Sequence, residues 1–431
     1  MQKLFTCWPG LFVIILTIVQ GGALASPQSL RARYLKFDLP DGSYPIASAT
    51  SDLNGDSWTD FVIGNQGSED VVVFLNENGL NFHPQHIDIK LRVERFDKER
   101  TPDDPWRYIT NVLTSDIDKD GDQDIVVTAG SHYVPDQGIS ILINDGNGSF
   151  SFNPRRDNYF IYAPGELESY PSKSVATDLN LDGYPDIVVA NSNWYGGKVS
   201  VLLNKGDGTF TTDLHFSSGA IDPYSIAAAN IDGDRLPDIA VGHGLSGELS
   251  LLKNLGNDSN NIWRGLRVVG SPIQTEQFII QVSFKQIQGL QHPALFVVTP
   301  SANQIRAYFN RNGSYSNEDS KSYDVGPHPY EAIVEDFRND GHIGLATANY
   351  NLNGRGDQLS ILTNLASLTN QNFYTLPSHE FGKLVSISYG SKMIDSSSLD
   401  PDDKEPNPLQ AFVLAGWENQ SVYLMYGFDK E

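Results

Sequence analysis

Cysteine is all but missing from this chain. One residue in 431 is a cysteine, Cys7, and it stands close to the start. No disulfide can staple the fold, so something else must tighten its loops. Positive charge is also scarce: Lys and Arg total 30 against 53 Asp and Glu, a net charge of −23. Such a surface repels phosphate, which argues against a nucleic-acid partner. Long apolar runs are missing beyond Val19, so no later segment reads as a membrane span. No stretch carries a sustained 3.6-residue apolar period, which excludes a helical architecture. The motifs G-x-S-x-G and H-E-x-x-H and the phosphate-binding loop do not occur, and the histidines have no ligand spacing. The chain therefore reads as a binding protein rather than an enzyme.

The start has the features of a secretory signal. Lys3 supplies the positive end, Leu11 to Val19 the apolar run, and Ala23-Leu24-Ala25 a small-x-small cleavage site. Residues 1–25 are read as this signal and 26–431 as the working domain, secreted or at the cell surface. Cys7 leaves with the signal, and so does Lys3, which takes the net charge to −24.

What fills the rest is a repeat. PIASATSDLNGDSWTDFVIGN begins at Pro45, PSKSVATDLNLDGYPDIVVAN at Pro171 and PYSIAAANIDGDRLPDIAVGH at Pro223. Ile109 opens another copy and Pro329 a weaker one. Each continues into a second alternating run, then an Asn and a glycine turn ending in an aromatic, as in Asn144…Gly148…Phe150. Anchors Asp52, Asp116, Asp178, Asn230 and Asp336 recur at 64, 62, 52 and 106 residues, the last interval holding two units. Gln277 to Tyr315 is the copy without an acidic loop, and the tail from Phe381 is the most degenerate. Seven units fit, each with four short β-branched runs, A to D. That pattern predicts an all-β, seven-bladed β-propeller with four-stranded blades. Tyr34 to Leu39 stands where a D strand stands, and Ser421 to Tyr426 where a C strand stands. Pairing them would complete the last blade and close the ring.

The loop between A and B reads D-x-[DN]-x-D-G-x-x-D. Its acidic positions are Asp52, Asn54, Asp56 and Asp60; Asp116, Asp118, Asp120 and Asp124; Asp178, Asn180, Asp182 and Asp186; and Asn230, Asp232, Asp234 and Asp238. Oxygens at positions 1, 3 and 5 of a tight turn converge, and position 9 closes the shell, which suits Ca²⁺. Three or four structural Ca²⁺ ions are expected. Position 12 is Ile63, Val127 or Val189 and never Glu, so this is not an EF-hand. In the weak copy Arg338 takes position 3, and that loop is expected to be metal-free with the guanidinium in the ion's place.

These units resemble the FG-GAP or VCBS repeats of the integrin α-subunit propeller and of related secreted lectins. The match lies in the D-L-N-x-D-G-x-x-D-I-V-V core at Asp178 and the N-x-G-x-G-x-F turns at Asn144 and Asn204. The resemblance implies a seven-bladed propeller with Ca²⁺ held by the A–B loops. It leaves the function open between adhesion, glycan binding and service to polysaccharide enzymes.

Strand parity puts the A–B loops and C–D turns on one face and the B–C and D–A loops on the other. On the second face the B–C loops carry His132, Tyr133, Trp194, Tyr195, His243, Tyr350 and Trp417. Aromatics among Asn and Gly suit a glycan or an extracellular protein. Tyr44, Tyr170 and Tyr224, at the D–A ends, are expected to pack between blades. Alternatives kept open are a polysaccharide lyase or hydrolase at the central opening and an adhesive or structural cell-surface role, for which Arg355-Gly356-Asp357 is a candidate motif.

Overall fold

The computed structural model describes residues 11–15, 30–79, 81–89, 108–130, 138–152, 158–160, 170–193, 196–211, 214–275, 278–337, 341–350, 358–362, 364–365, 373–375, 383–394 and 409–430. Apart from two single-turn 3₁₀ segments, every regular element among them is a β-strand.

Blade one holds Pro45–Ser51, Asp60–Asn65, Asp70–Glu77 and Asn81–Asp88 as strands A to D. Blade two holds Tyr108–Ser115, Asp124–Gly130 and Gly138–Asn144, with an outer strand in two pieces, Phe150–Phe152 and Asn158–Phe160. Blades three and four run from Tyr170 to Ser217 and from Pro223 to Gln274. Blade five, the copy without an acidic loop, is complete from Gln281 to Asp324. Blade six spans Pro329 to Thr375. Each sheet is antiparallel in A-B-C-D order.

Blade seven takes Leu384–Ile394, Leu409–Gly416 and Ser421–Lys430 from the C-terminal end and Leu30–Asp38 from the N-terminal end. The closing pair runs in the register Tyr34↔Met425, Leu35↔Leu424 and Phe37↔Val422, as the sequence pattern predicts. A short strand, Leu11–Ile15, pairs antiparallel on the outer side of Leu30–Asp38.

The core is divided into seven clusters, one in each gap between neighbouring blades. Strand period explains how one blade feeds two of them. In Asp60–Asn65, Phe61 and Ile63 pack toward blade seven while Val62 packs toward blade two. Both faces of the inner strands are buried, so B and C read as near-continuous apolar runs.

Candidate functional site

The ninth-position aspartates have a task beyond the one read from the motif. Asp60, Asp124, Asp186 and Asp238 are fully buried. Asp186 accepts the Leu179 N–H at 2.9 Å and the Asn204 N–H at 2.8 Å, and the other three repeat the pattern. The Asn then reaches the preceding blade. Asn204 Nδ2 donates to Ile117 O at 2.8 Å and to Pro185 O at 3.1 Å, and Asn204 Oδ1 accepts the Gly206 N–H. Asn144 reaches Leu53 O, Asn254 reaches Leu179 O, Asn310 reaches Ile231 O, and Asn76 reaches Met393 O across the closure. The glycine turns of the sequence are thus inter-blade latches. Burial pushes Asp60, Asp124 and Asp186 up to about 7, against the pull of these backbone donors. A folded-state value above the ordinary 3.8 means that these carboxyls cost stability increasingly as pH rises through that window.

Above each aspartate sits the loop itself. Position 6 takes a positive φ in all four: +106° at Gly121, +95° at Gly183, +69° at Ser57 and +76° at Arg235. The two non-glycines hold it at a cost of about 1–2 kcal/mol each. In blade two, carboxylate oxygens of Asp116, Asp118 and Asp120 lie within 4.8 Å of one another. Asp116 Oδ1 and Asp118 Oδ1 are buried with no hydrogen-bond partner. Buried, orphaned, converging oxygens are a donor set that fits a hard divalent cation. In blade three Asp178 caps its own turn, accepting the Asp182 and Gly183 N–H groups. In blade four Asp232, Asp234 and Asp238 converge within 4.8 Å, and Lys253 Nζ is bonded to Asp232 and lies 3.1 Å from Asp234. Burial pushes Asp238 up to about 6, against the pull of the Asn254 and Ile231 N–H donors and, least, of the Lys253 ammonium.

The opposite face has a cavity of about 440 Å³ on the ring axis. A recurring β-bulge builds it. The A–B register skips one residue in six blades: Ile46, Thr110, Ser172, Tyr224, Tyr330 and Val385. A bulge re-aims the extra side chain out of the pleat, and all six line the cavity. Blade five has no bulge and contributes Ile280 and Gln281. Tyr108, Tyr170, Tyr350 and Trp417 add four further aromatic rings to the wall. Tyr224 and Tyr330 are neighbours: burial pushes Tyr330 up to about 12 against a hydrogen bond from Tyr224 that lowers it, and Tyr330 pushes Tyr224 well above the usual range. The phenols therefore stay protonated and serve as O–H donors. At the base, Lys173 of blade three meets Glu331 of blade six at 3.4 Å, and Glu331 Oε2 also accepts from Ser386 Oγ at 2.6 Å and the Ile387 N–H at 3.0 Å. The two opposite charges neutralise one another, so the described ionisable groups leave the cavity aromatic and electrically balanced.

A family profile described as an FG-GAP-like repeat matches residues 178–241, from the acidic loop of blade three through strand B of blade four. That stretch carries FG-GAP-like repeat sequence within a seven-bladed propeller. Human integrin alpha-6 is 34% identical over 143 residues, covering 31% of this chain but only 12% of that much longer protein. Two solved structures share the fold at low identity. The crystal structure of BBS1N in complex with ARL6DN superposes with a TM-score of 0.54 at 13% identity, over 90% of this chain and 95% of that one. A protein from Lactobacillus plantarum gives 0.50 at 12% identity, over 86% and 95%.

The site residues read from the sequence divide among three outcomes in this propeller. His132, Tyr133, Trp194, Tyr195, Arg338 and the Arg355–Asp357 tripeptide lie outside the described residues. Tyr350 and Trp417 line the central cavity, and Tyr44 lies tilted by 38° against Trp417 with ring centroids 5.1 Å apart. His243 is a correction: it is the last residue of strand B, fully buried, not a loop residue open to a ligand. Its Nδ1–H donates to Ile221 O at 3.0 Å, and Nε2 accepts from Ser250 Oγ at 3.0 Å. Tyr170 lines the cavity, whereas Tyr224 packs on Phe278 as expected and yet also faces the cavity. That second role depends on the bulge, which no local pattern reveals.

Burial holds the His243 imidazole below its ordinary 6.5. A depressed value means that stability is present above 6.5 and is lost as pH falls, because the unfolded chain takes the proton more readily. His243→Gln is expected to cost about 1–3 kcal/mol at pH 7.5 by breaking this bridge. That cost should shrink by up to about 1.4 kcal/mol per pH unit below 6.5. Denaturant melts of both proteins from pH 7.5 to 5 check this; a gap that stays constant with pH refutes it.

Proposed function

We propose that this propeller is a secreted binding module, stabilised by Ca²⁺ on its acidic face, that takes a carbohydrate at the central opening of the other face. Residues 1–25 serve as the signal and 26–431 form the propeller. The observation that carries the reading is the central cavity lined by six aromatic side chains, two of them on bulges, beside the neutralised Lys173–Glu331 pair. Flat rings stack on the apolar C–H faces of a sugar, and phenol O–H groups bond its hydroxyls. The lack of net charge favours a neutral glycan over an acidic polysaccharide, and the engagement of Glu331 by three donors makes it a poor general acid or base. The similarity to human integrin alpha-6 favours a second reading, an extracellular protein at the same opening.

A glycan and matrix-protein array, followed by calorimetry on the best ligand, tests both readings. Trp417→Ala is expected to weaken binding about tenfold or more, the scale of one lost stacking partner. It should leave unchanged the fall in melting temperature that a chelator produces. Full affinity in the Trp417→Ala variant moves the site elsewhere, and turnover of a polysaccharide replaces the binding module with an enzyme. A melting curve indifferent to chelator removes the role given to Ca²⁺, since an ion bound only to the folded state must stabilise it.

A further inference from the structure

Among the four acidic loops, the fourth carries its own cation. Lys253 stands on strand C of blade four, Glu248–Asn254, one residue before the latch Asn254. Its ammonium is bonded to Asp232 and lies 3.1 Å from Asp234, the third and fifth positions of the loop. These are two of the three carboxylates whose oxygens converge within 4.8 Å. The residues that precede the latch in blades one to three are Leu75, Ile143 and Leu203, none of which carries a charge. The first position of the fourth loop is the neutral Asn230, and its sixth is Arg235. Blade two shows the opposite state: Asp116 Oδ1 and Asp118 Oδ1 are buried without a partner.

We propose that Lys253 replaces calcium in the fourth loop, so that this loop takes no metal while the others do. A divalent ion among Asp232, Asp234 and Asp238 would have to expel the ammonium from two carboxylates and then lie beside a like charge. The tethered ammonium meets that charge without any loss of translational freedom, so blade four is held whether or not calcium is present. The inference rests on the reading of the remaining loops as calcium sites, and the experiment separates the two.

Calcium stoichiometry of the full propeller, read by native mass spectrometry and by calorimetry with CaCl₂, is compared with that of Lys253→Met. The variant is expected to bind one ion more than the parent. In chelator it should melt below the parent, and in CaCl₂ the difference should close. Lys253→Arg should keep the parent stoichiometry. Asp234→Asn in the otherwise unchanged chain should also keep it, and this arm serves if Lys253→Met does not fold. Equal stoichiometry in parent and Lys253→Met, or loss of one ion in Asp234→Asn, overturns the proposal. A parent that binds none and a variant that binds one would leave the role of Lys253 standing and overturn the calcium reading of the other loops.

Discussion

Deleting residues 26–40 is expected to turn a monomeric propeller into an aggregating one. The deleted stretch contains the outer strand of blade seven, Leu30–Asp38, whose ladder to Ser421–Lys430 closes the ring. Tyr34 and Leu35 are buried on opposite sides of that strand, in the gaps facing blade six and blade one. Phe37 lies against Phe61, Phe74 and Phe82 of blade one, with centroids 5.1–5.8 Å apart. Each such side chain contributes about 1.5–3 kcal/mol when buried. Its loss would also bare the backbone of Ser421–Lys430 as a raw edge beside an apolar gap, a template for pairing with other chains. Size-exclusion chromatography should show oligomers or precipitate, and a peptide of residues 26–40 added in trans should restore monomer by filling the empty strand position. A truncated monomer with the parent melting temperature would show that the ring does not need this strand.

Asn204→Ala is expected to cost about 3–5 kcal/mol, more than most single changes in a domain of this kind. The side chain is nearly buried and makes three bonds, two of them to main-chain carbonyls of which one belongs to the preceding blade. Alanine leaves Ile117 O and Pro185 O without their donor in a dry setting, at about 1–3 kcal/mol each, and frees the Gly206 turn. Asn204→Asp makes the test sharper. It preserves the shape and the acceptor but loses both donors and adds a charge next to Asp186, so it should be at least as damaging as alanine. Equilibrium unfolding of the three proteins in the same calcium concentration gives the comparison. An Asp variant close to the parent would mean that shape, not donation, is what the position requires.

The repeat made the frame legible. Spacing of the acidic anchors set the blade count, and the runs Tyr34 to Leu39 and Ser421 to Tyr426 revealed the closure, because each feature is local or periodic along the chain. The central cavity was not legible for the opposite reason. Whether Tyr224 or Tyr330 faces the axis depends on a register shift against strand B, and such a shift leaves no mark on strand A alone. His243 was misread because the end of strand B, taken from residue types, fell one residue too early. The latch was seen only as a turn: Asn204 announces the Gly-rich bend in the sequence, while its carbonyl partners sit 87 and 19 residues away. Lys253 escaped notice because it approaches the fourth loop from another strand, outside the motif that defines the loop.

The recurring bulge has a consequence for how such a molecule can change its taste in ligands. A residue left out of the ladder is freed from strand pairing, yet two of these still tie blades together: Thr110 Oγ1 donates to Pro171 O of blade three, and Ser172 Oγ to Tyr224 O of blade four. Read around the axis, Ile46, Thr110, Ser172, Tyr224, Tyr330 and Val385 form a short word spelled one letter per blade. Two letters are already aromatic, two are hydroxylic and two are aliphatic. Rewriting a letter alters the mouth of the ring, and at Ile46, Tyr224 and Tyr330 it also changes what an inter-blade core rests against.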